Sequence, residues 1–117
     1  MYIYLMNSKL LRGTLDSIIL KLLSEKEEMY GYEITRAVKE LTHGEVELTE
    51  GALYPALHRL ESKGILDSST RFIGNRYRKY YSLTESGKEE TEVALSEMNR
   101  YMEALQLIFQ TSNRSLS

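Results

Sequence analysis

A mainly α-helical fold with one small β-hairpin and a long C-terminal helix is what this sequence predicts, on three observations. Apolar residues recur at helical spacing in four segments of the chain. β-Branched and aromatic residues flank a single Gly74-Asn75 pair, a dipeptide suited to a tight hairpin turn. Near the C-terminus, Leu95, Met98, Met102, Leu105 and Phe109 follow one another at spacings of 3, 4, 3 and 4, the pattern of a helix that packs along another helix.

Residues 8–24, SKLLRGTLDSIILKLLS, place Leu11, Leu15, Ile18, Ile19, Leu22 and Leu23 at helical spacing, with apolar residues spilling beyond one stripe. This helix needs two packing partners. The stretch EKEE is a charged surface turn, after which Met29 and Tyr30 lead through Gly31 into a shorter helix. There Ile34, Val38 and Leu41 fall at i, i+4 and i+7, and Gly44 closes the helical region. Thr49 is the N-cap of a third helix, with Glu50 suited to its positive end and Gly64 to its C-cap. Three short helices with a tight link between the second and third are the minimum helix-turn-helix arrangement.

That third helix contains the only proline, Pro55. A proline in a helix interior costs on the order of 3 kcal/mol, through a lost hydrogen bond and a clash with the carbonyl four residues earlier. The residue four back is Gly51, in the first turn, where the backbone deforms most easily. Leu53, Leu57 and Leu60 keep one apolar stripe intact, while Gly51, Tyr54, Pro55, His58, Arg59 and Ser62 form a flat, mixed outer face. Such a face is unusual for mere solvent.

The segment ILDSSTRFIGNRYRKYYSLT reads as the hairpin. In its second arm Tyr77, Lys79, Tyr81 and Leu83 point one way and Arg76, Arg78, Tyr80 and Ser82 the other. Arg71, Arg76, Arg78 and Lys79 lie within nine residues with no acid among them, which makes a basic, tyrosine-interleaved wing. Thr84 then caps the last helix, where Ala94, Tyr101 and Ile108 widen the apolar stripe. The expected division is a winged helix-turn-helix domain over 1–83 and a dimerisation helix with its tail over 84–117. The stripe spans about two heptads, too short to hold a coiled coil alone, so the first helix and the N-terminal apolar residues are expected to help.

Composition bounds the chemistry. A chain of 117 residues with 42% hydrophobic content fits one globular unit. It has no cysteine, hence no disulfide framework and no thiolate metal site. His43 and His58 lie fifteen positions apart, so no metal or other cofactor is expected. No nucleophile motif and no glycine-rich phosphate loop argue for an enzyme. The N-terminus lacks a basic leader pattern, and no apolar run approaches the roughly 20 residues that span a bilayer, so a cytoplasmic protein without membrane contact is expected. Either Met1 or Met6 is the start, and in the second case YIYL is a short arm ahead of it.

Charge is segregated under a net of −2. Residues 49–82 carry six basic and three acidic side chains, a balance of +3, whereas residues 23–47 carry three against seven, a balance of −4. One side of the molecule is therefore suited to a polyanion.

The order helix, helix, helix, hairpin, long helix, with "YGYEI", "TEGALYPALHRLESKGIL" and "RKYYSLTESG", resembles the PadR family of bacterial winged-helix transcriptional regulators. The resemblance runs from about Leu10 through Phe109, and the single C-terminal helix is similar to the short subfamily. It implies a homodimer whose third helices enter successive major grooves of a pseudo-palindromic operator in double-stranded DNA, with the wings on phosphate or the minor groove. Repression relieved by an effector is the implied role. In that scheme Gly51 and Pro55 let the helix approach DNA closely beside Tyr54. By their chemistry, Thr49 and His58 suit base edges or phosphate, Tyr54 phosphate or a thymine methyl, and Arg59 and Lys63 phosphate. Arg71, Arg76, Arg78 and Lys79 are the wing's candidates.

No arginine of the third helix is an obvious guanine reader, so backbone contacts and DNA shape should carry a large share of the recognition. Leu95, Met98, Tyr101, Met102, Leu105, Ile108 and Phe109 are the expected dimer interface. The resemblance also implies a small aromatic effector between the dimer helices, where Met98, Tyr101 and Phe109 are the candidates. The alternative is a winged-helix module that binds a protein partner, which neutralisation of the basic wing would leave largely intact.

Overall fold

A computed structural model of the chain describes the backbone of residues 3–115 and the side chains of residues 14–110. Helix α1 (Ile3–Glu25) leads through strand β1 (Met29–Tyr30) into α2 (Gly31–Leu41) and α3 (Glu50–Ser62). Strands β2 (Leu66–Ile73) and β3 (Arg76–Leu83) form the hairpin, and α4 (Glu85–Ser115) closes the chain. The mainly helical class with a small β element is as the sequence predicts.

Each boundary has a local cause. The Thr49 hydroxyl accepts from the Ala52 N–H at 3.2 Å and caps α3. At its other end Gly64 takes φ +78° while the Ile65 N–H reaches the Leu60 carbonyl, so the helix stops in a Schellman turn. The same device ends α2, where the left-handed residue next to the cap is His43 (φ +54°) and Gly44 donates to the Lys39 carbonyl at 2.8 Å. Gly74 and Asn75 both have positive φ and join β2 to β3 through a two-residue loop. The chain passes Pro55 without leaving the helix.

Two expectations change. The sheet has three strands in the order β1-β3-β2, because Met29 pairs with Tyr81 and Tyr30 with Tyr80 ahead of α2. A two-residue strand offers no period to read. Of the arm weighed over YIYL, residues 3–5 already belong to α1, and Tyr2 lies outside the described residues. The side chain of Leu11, read as part of that helix's stripe, and the aid expected from N-terminal apolar side chains lie outside the described residues.

The core is one cluster: Leu15, Ile19 and Leu23 of α1, Ile34 and Val38 of α2, Leu53, Leu57 and Leu60 of α3, with Met29, Leu66 and Tyr81 from the sheet. The stripe that survives Pro55 is thus the buried face of α3, which turns Gly51, Pro55 and His58 outward, with Lys63 exposed just past its end. The start of α4 is built into the same body. Thr84 donates to the Gly64 carbonyl at 2.6 Å and accepts from the Gly87 N–H at 2.9 Å. A Cβ on buried Gly87 would collide with the Ile65 carbonyl oxygen, so this close approach requires glycine.

Candidate nucleic-acid interface

Helix α3 presents a narrow ridge without bulk. Gly51 is exposed, and a Cβ there would meet nothing within 4 Å of its own chain. Pro55 and His58 are exposed beside it. Thr49 stands at the entrance with its oxygen committed to Ala52, which leaves its O–H proton to donate outward. Tyr54 differs from the sequence-based reading. It is 37% exposed, and its ring reaches back over α2, where a Cβ on buried Gly31 would strike the Tyr54 hydroxyl. Tyr54 therefore wedges α2 against α3 and offers only part of its edge outward.

The cations differ in their company. Arg59 Nη2 donates to Asp16 Oδ1 of α1 at 2.5 Å. Arg71 pairs with Glu28, and its guanidinium lies 4.2 Å from the Tyr80 ring centroid. Lys79 Nζ is 3.4 Å from Glu61 Oε1 and 5.4 Å from the centroid of the Tyr81 ring. Arg78 stacks over Tyr30 at 4.7 Å. Lys63 and Arg76 are exposed and make no ion pair among the described residues.

The alternation of β3 puts Lys79 with Tyr81 on the helix-facing side, while Arg76 and Arg78 share the outer side with Tyr80. On that outer side Tyr30 meets Tyr80 edge-on at 5.3 Å, so two arginines are interleaved with two tyrosines. The basic run without acids is thus a property of the sequence alone. In the fold, Glu28 and Glu61 come to it.

These contacts set the titration. The Glu61 carboxyl lies below its ordinary value, chiefly because it accepts from the Ser68 hydroxyl at 2.6 Å and secondarily because of Lys79. The Glu28 carboxyl is lowered mainly by its hydrogen bond to Arg71. Burial pushes the Tyr81 phenol up.

Sequence reasoning missed Asp16, Glu28 and Tyr30, which lie far along the chain from their partners. It also missed the wing tip, where Phe72 and Tyr77 are 61% and 75% exposed with ring centroids 4.9 Å apart. Their position, each two residues out from the Gly74-Asn75 turn, was the available signal.

Along α4 the apolar stripe divides. Leu95 and Met98 are half-buried and, with Ile18, Leu22, Val38 and Met102, line an open apolar groove of about 430 Å³. Tyr101 is 58% exposed and, like Phe109, is not part of that groove, so of the three expected effector residues only Met98 lines it. Leu105 is half-buried, whereas Ile108 and Phe109 are 60% and 70% exposed.

A capped helix laid beside a basic hairpin, with a long helix leading away, defines a winged-helix regulator of transcription. The chain belongs to the PadR-like family of transcriptional regulators, which matches its residues 19–93. As a member of that family it is a regulator and not an enzyme. It is 33% identical over 107 residues to an uncharacterized protein of Lysinibacillus sphaericus, a match covering 91% of this chain and 97% of that protein. It is 37% identical over 69 residues to the negative transcriptional regulator PadR of Bacillus subtilis, covering 58% of this chain and 38% of the longer relative. A solved transcriptional regulator from Clostridium thermocellum superimposes with a TM-score of 0.76 at 31% identity, over 85% of this chain and 96% of that one. Among the described residues no helix is long and apolar enough to cross a membrane.

Proposed function

We propose that the chain binds double-stranded DNA as a homodimer, laying the two α3 ridges into successive major grooves of a pseudo-palindromic operator and the wings against phosphate or the minor groove. The observation that carries this reading is the open face of α3. Outside the backbone of its own helix, a Cβ on Gly51 would meet nothing within 4 Å among the described residues, unlike Gly31 and Gly87, where packing forbids a Cβ. A ridge of Gly51, Pro55 and His58 between cationic flanks suits close approach to a polyanion. Repression is the direction favoured, because a relative is itself a negative transcriptional regulator. Residues 1–83 act as the DNA-binding unit and α4 as the pairing unit, with Tyr101, Leu105, Ile108 and Phe109 between protomers. A small aromatic compound in the apolar groove beside Met98 would release the DNA by shifting α4 against α1 and α2.

The test is selection of bound sequences from random duplex DNA, with the variant carrying Arg76→Ala, Arg78→Ala and Lys79→Ala as control. Enrichment of a two-fold-related sequence, lost in the variant, supports the reading. If each subunit neutralises about three or four phosphates, affinity falls with salt along a log–log slope of roughly −5 to −7. No enrichment at low salt, or a slope near zero, would direct the same face toward a protein partner.

A further inference from the structure

Three of the cations offered to DNA are already occupied by acids of the same chain, and the arrangement is systematic. Helix α3 is bracketed by two pairs, Arg59 with Asp16 on its α1 side and Glu61 with Lys79 on its sheet side. The third, Arg71 with Glu28, sits on the outer side of the wing. Every partner is partly exposed, from 33% at Glu61 to 47% at Arg59, so each pair lies where a phosphate oxygen can reach it. Two of the acids arrive from outside the basic segment, Asp16 and Glu28 each standing 43 residues before its arginine. Counting them lowers the balance around α3 and the wing from +3 to +1. Lys63 and Arg76, farther out at the helix end and the wing tip, have no such partner among the described residues.

We propose that Asp16, Glu28 and Glu61 act as built-in phosphate mimics, holding down the affinity of this interface for DNA of arbitrary sequence. The inference rests on the DNA-binding reading above. A carboxylate on a guanidinium offers the geometry and charge that a phosphate oxygen offers. DNA must therefore displace the acid, leaving it unpaired beside a phosphate that repels it, or forgo that cation. Either way the phosphate contribution shared by all sequences shrinks. The open ridge of Gly51, Pro55 and His58 makes no ion pair among the described residues, only His58 feeling the nearby Glu61 carboxylate, so most of its contribution is untouched. A regulator with a net charge of −2 then relies on shape and base contacts more than on general attraction to the double helix. The carboxyls of Glu28 and Glu61 lie below their ordinary value, Glu28 chiefly through its hydrogen bond from Arg71 and Glu61 chiefly through that from Ser68.

The experiment measures binding of the full chain to a random-sequence duplex pool across a salt series, for the wild type, Asp16→Asn, Glu28→Gln, Glu61→Gln and the triple amide variant, with Arg76→Ala as a control. The amides keep the shape and a hydrogen-bond acceptor, and an unchanged circular dichroism spectrum with a cooperative melting transition above the assay temperature checks the fold. Each amide variant is expected to bind random DNA several-fold more tightly at low salt. Each is also expected to steepen the log–log slope by about 0.9 per freed cation, about 3.5-fold more affinity lost for each fourfold rise in salt. Arg76→Ala should move both the opposite way. Amide variants that match the wild type in affinity and slope, while Arg76→Ala weakens binding, overturn the inference and leave the DNA-binding reading standing. Absence of binding by every protein at low salt overturns both.

Discussion

The outer face of α3 and the distal half of α4 both stand in water, yet they are made of opposite materials. The exposed residues of α3 include Gly51, Pro55, His58 and Ser62, small or polar, with an ion pair on either flank and Lys63 just past its end. On α4 they include Tyr101, Leu107 and Ile108, at 58%, 64% and 60% exposure. A hydrated polyanion can approach the first surface without stripping apolar groups, whereas the second gains only from apolar cover. Exposure alone does not mark a site. Its chemistry tells which partner fits, and on the reading proposed above the two surfaces serve separate tasks, one toward DNA and one toward a second copy.

Substitutions can break that contrast. The largest effect should come from turning the comparison inward on α3 itself. Leu57→Ala empties a fully buried position and should lower unfolding free energy by about 2–5 kcal/mol in a urea titration. Gly51→Ala, six residues earlier on the open face, should leave stability unchanged or raise it by up to about 1 kcal/mol, since its Cβ meets nothing. If that variant also loses DNA retention, the ridge is an interface and not a spare surface.

Next in size is Tyr101→Glu on α4. A charge on an exposed aromatic should weaken dimerisation by about 2 kcal/mol or more, roughly 30-fold, as read by sedimentation equilibrium, while helicity by circular dichroism is retained. An unaltered dimer would move the pairing surface elsewhere.

Removing the α3 cap is smaller. Thr49→Ala should cost about 1 kcal/mol, and Thr49→Ser should restore most of it, because the hydroxyl serves the Ala52 N–H.

The smallest effect is a matter of pH. Glu28 and Glu61 have carboxyls lowered in the folded state, so the stability they contribute is present above the ordinary carboxylate range and disappears as pH falls through their folded values. Melting temperature should decline on acidification below about pH 4.5, and the decline should be shallower in Glu28→Gln and Glu61→Gln.

What proved legible in the sequence was local. The Thr49 cap, the Gly64 stop and the Gly74-Asn75 turn each depend on a few neighbouring residues, and all three act in the fold as their spacing indicates. The inward stripe of α3 was readable through Pro55 for the same reason, since helical periodicity is a short-range property. Strand β1 was not, because two residues have no period and Met29 becomes a strand only when Tyr81 lies beside it. Tyr54 illustrates the intermediate case. Its place on the outward half of α3 was evident, but its reach over Gly31 depends on where α2 is packed.

The sequence by itself determined the succession of helices and hairpin, the buried side of α3, the basic character of residues 49–82 and the family to which the chain belongs. Only the tertiary structure decided how that charge is spent: Asp16 and Glu28 meet arginines 43 residues further along, and Lys79 turns inward to Glu61 while Arg76 stays clear. Periodicity and capping act within a turn or two of chain, whereas charge acts through space, so a basic run becomes a basic surface only after folding has chosen its neighbours.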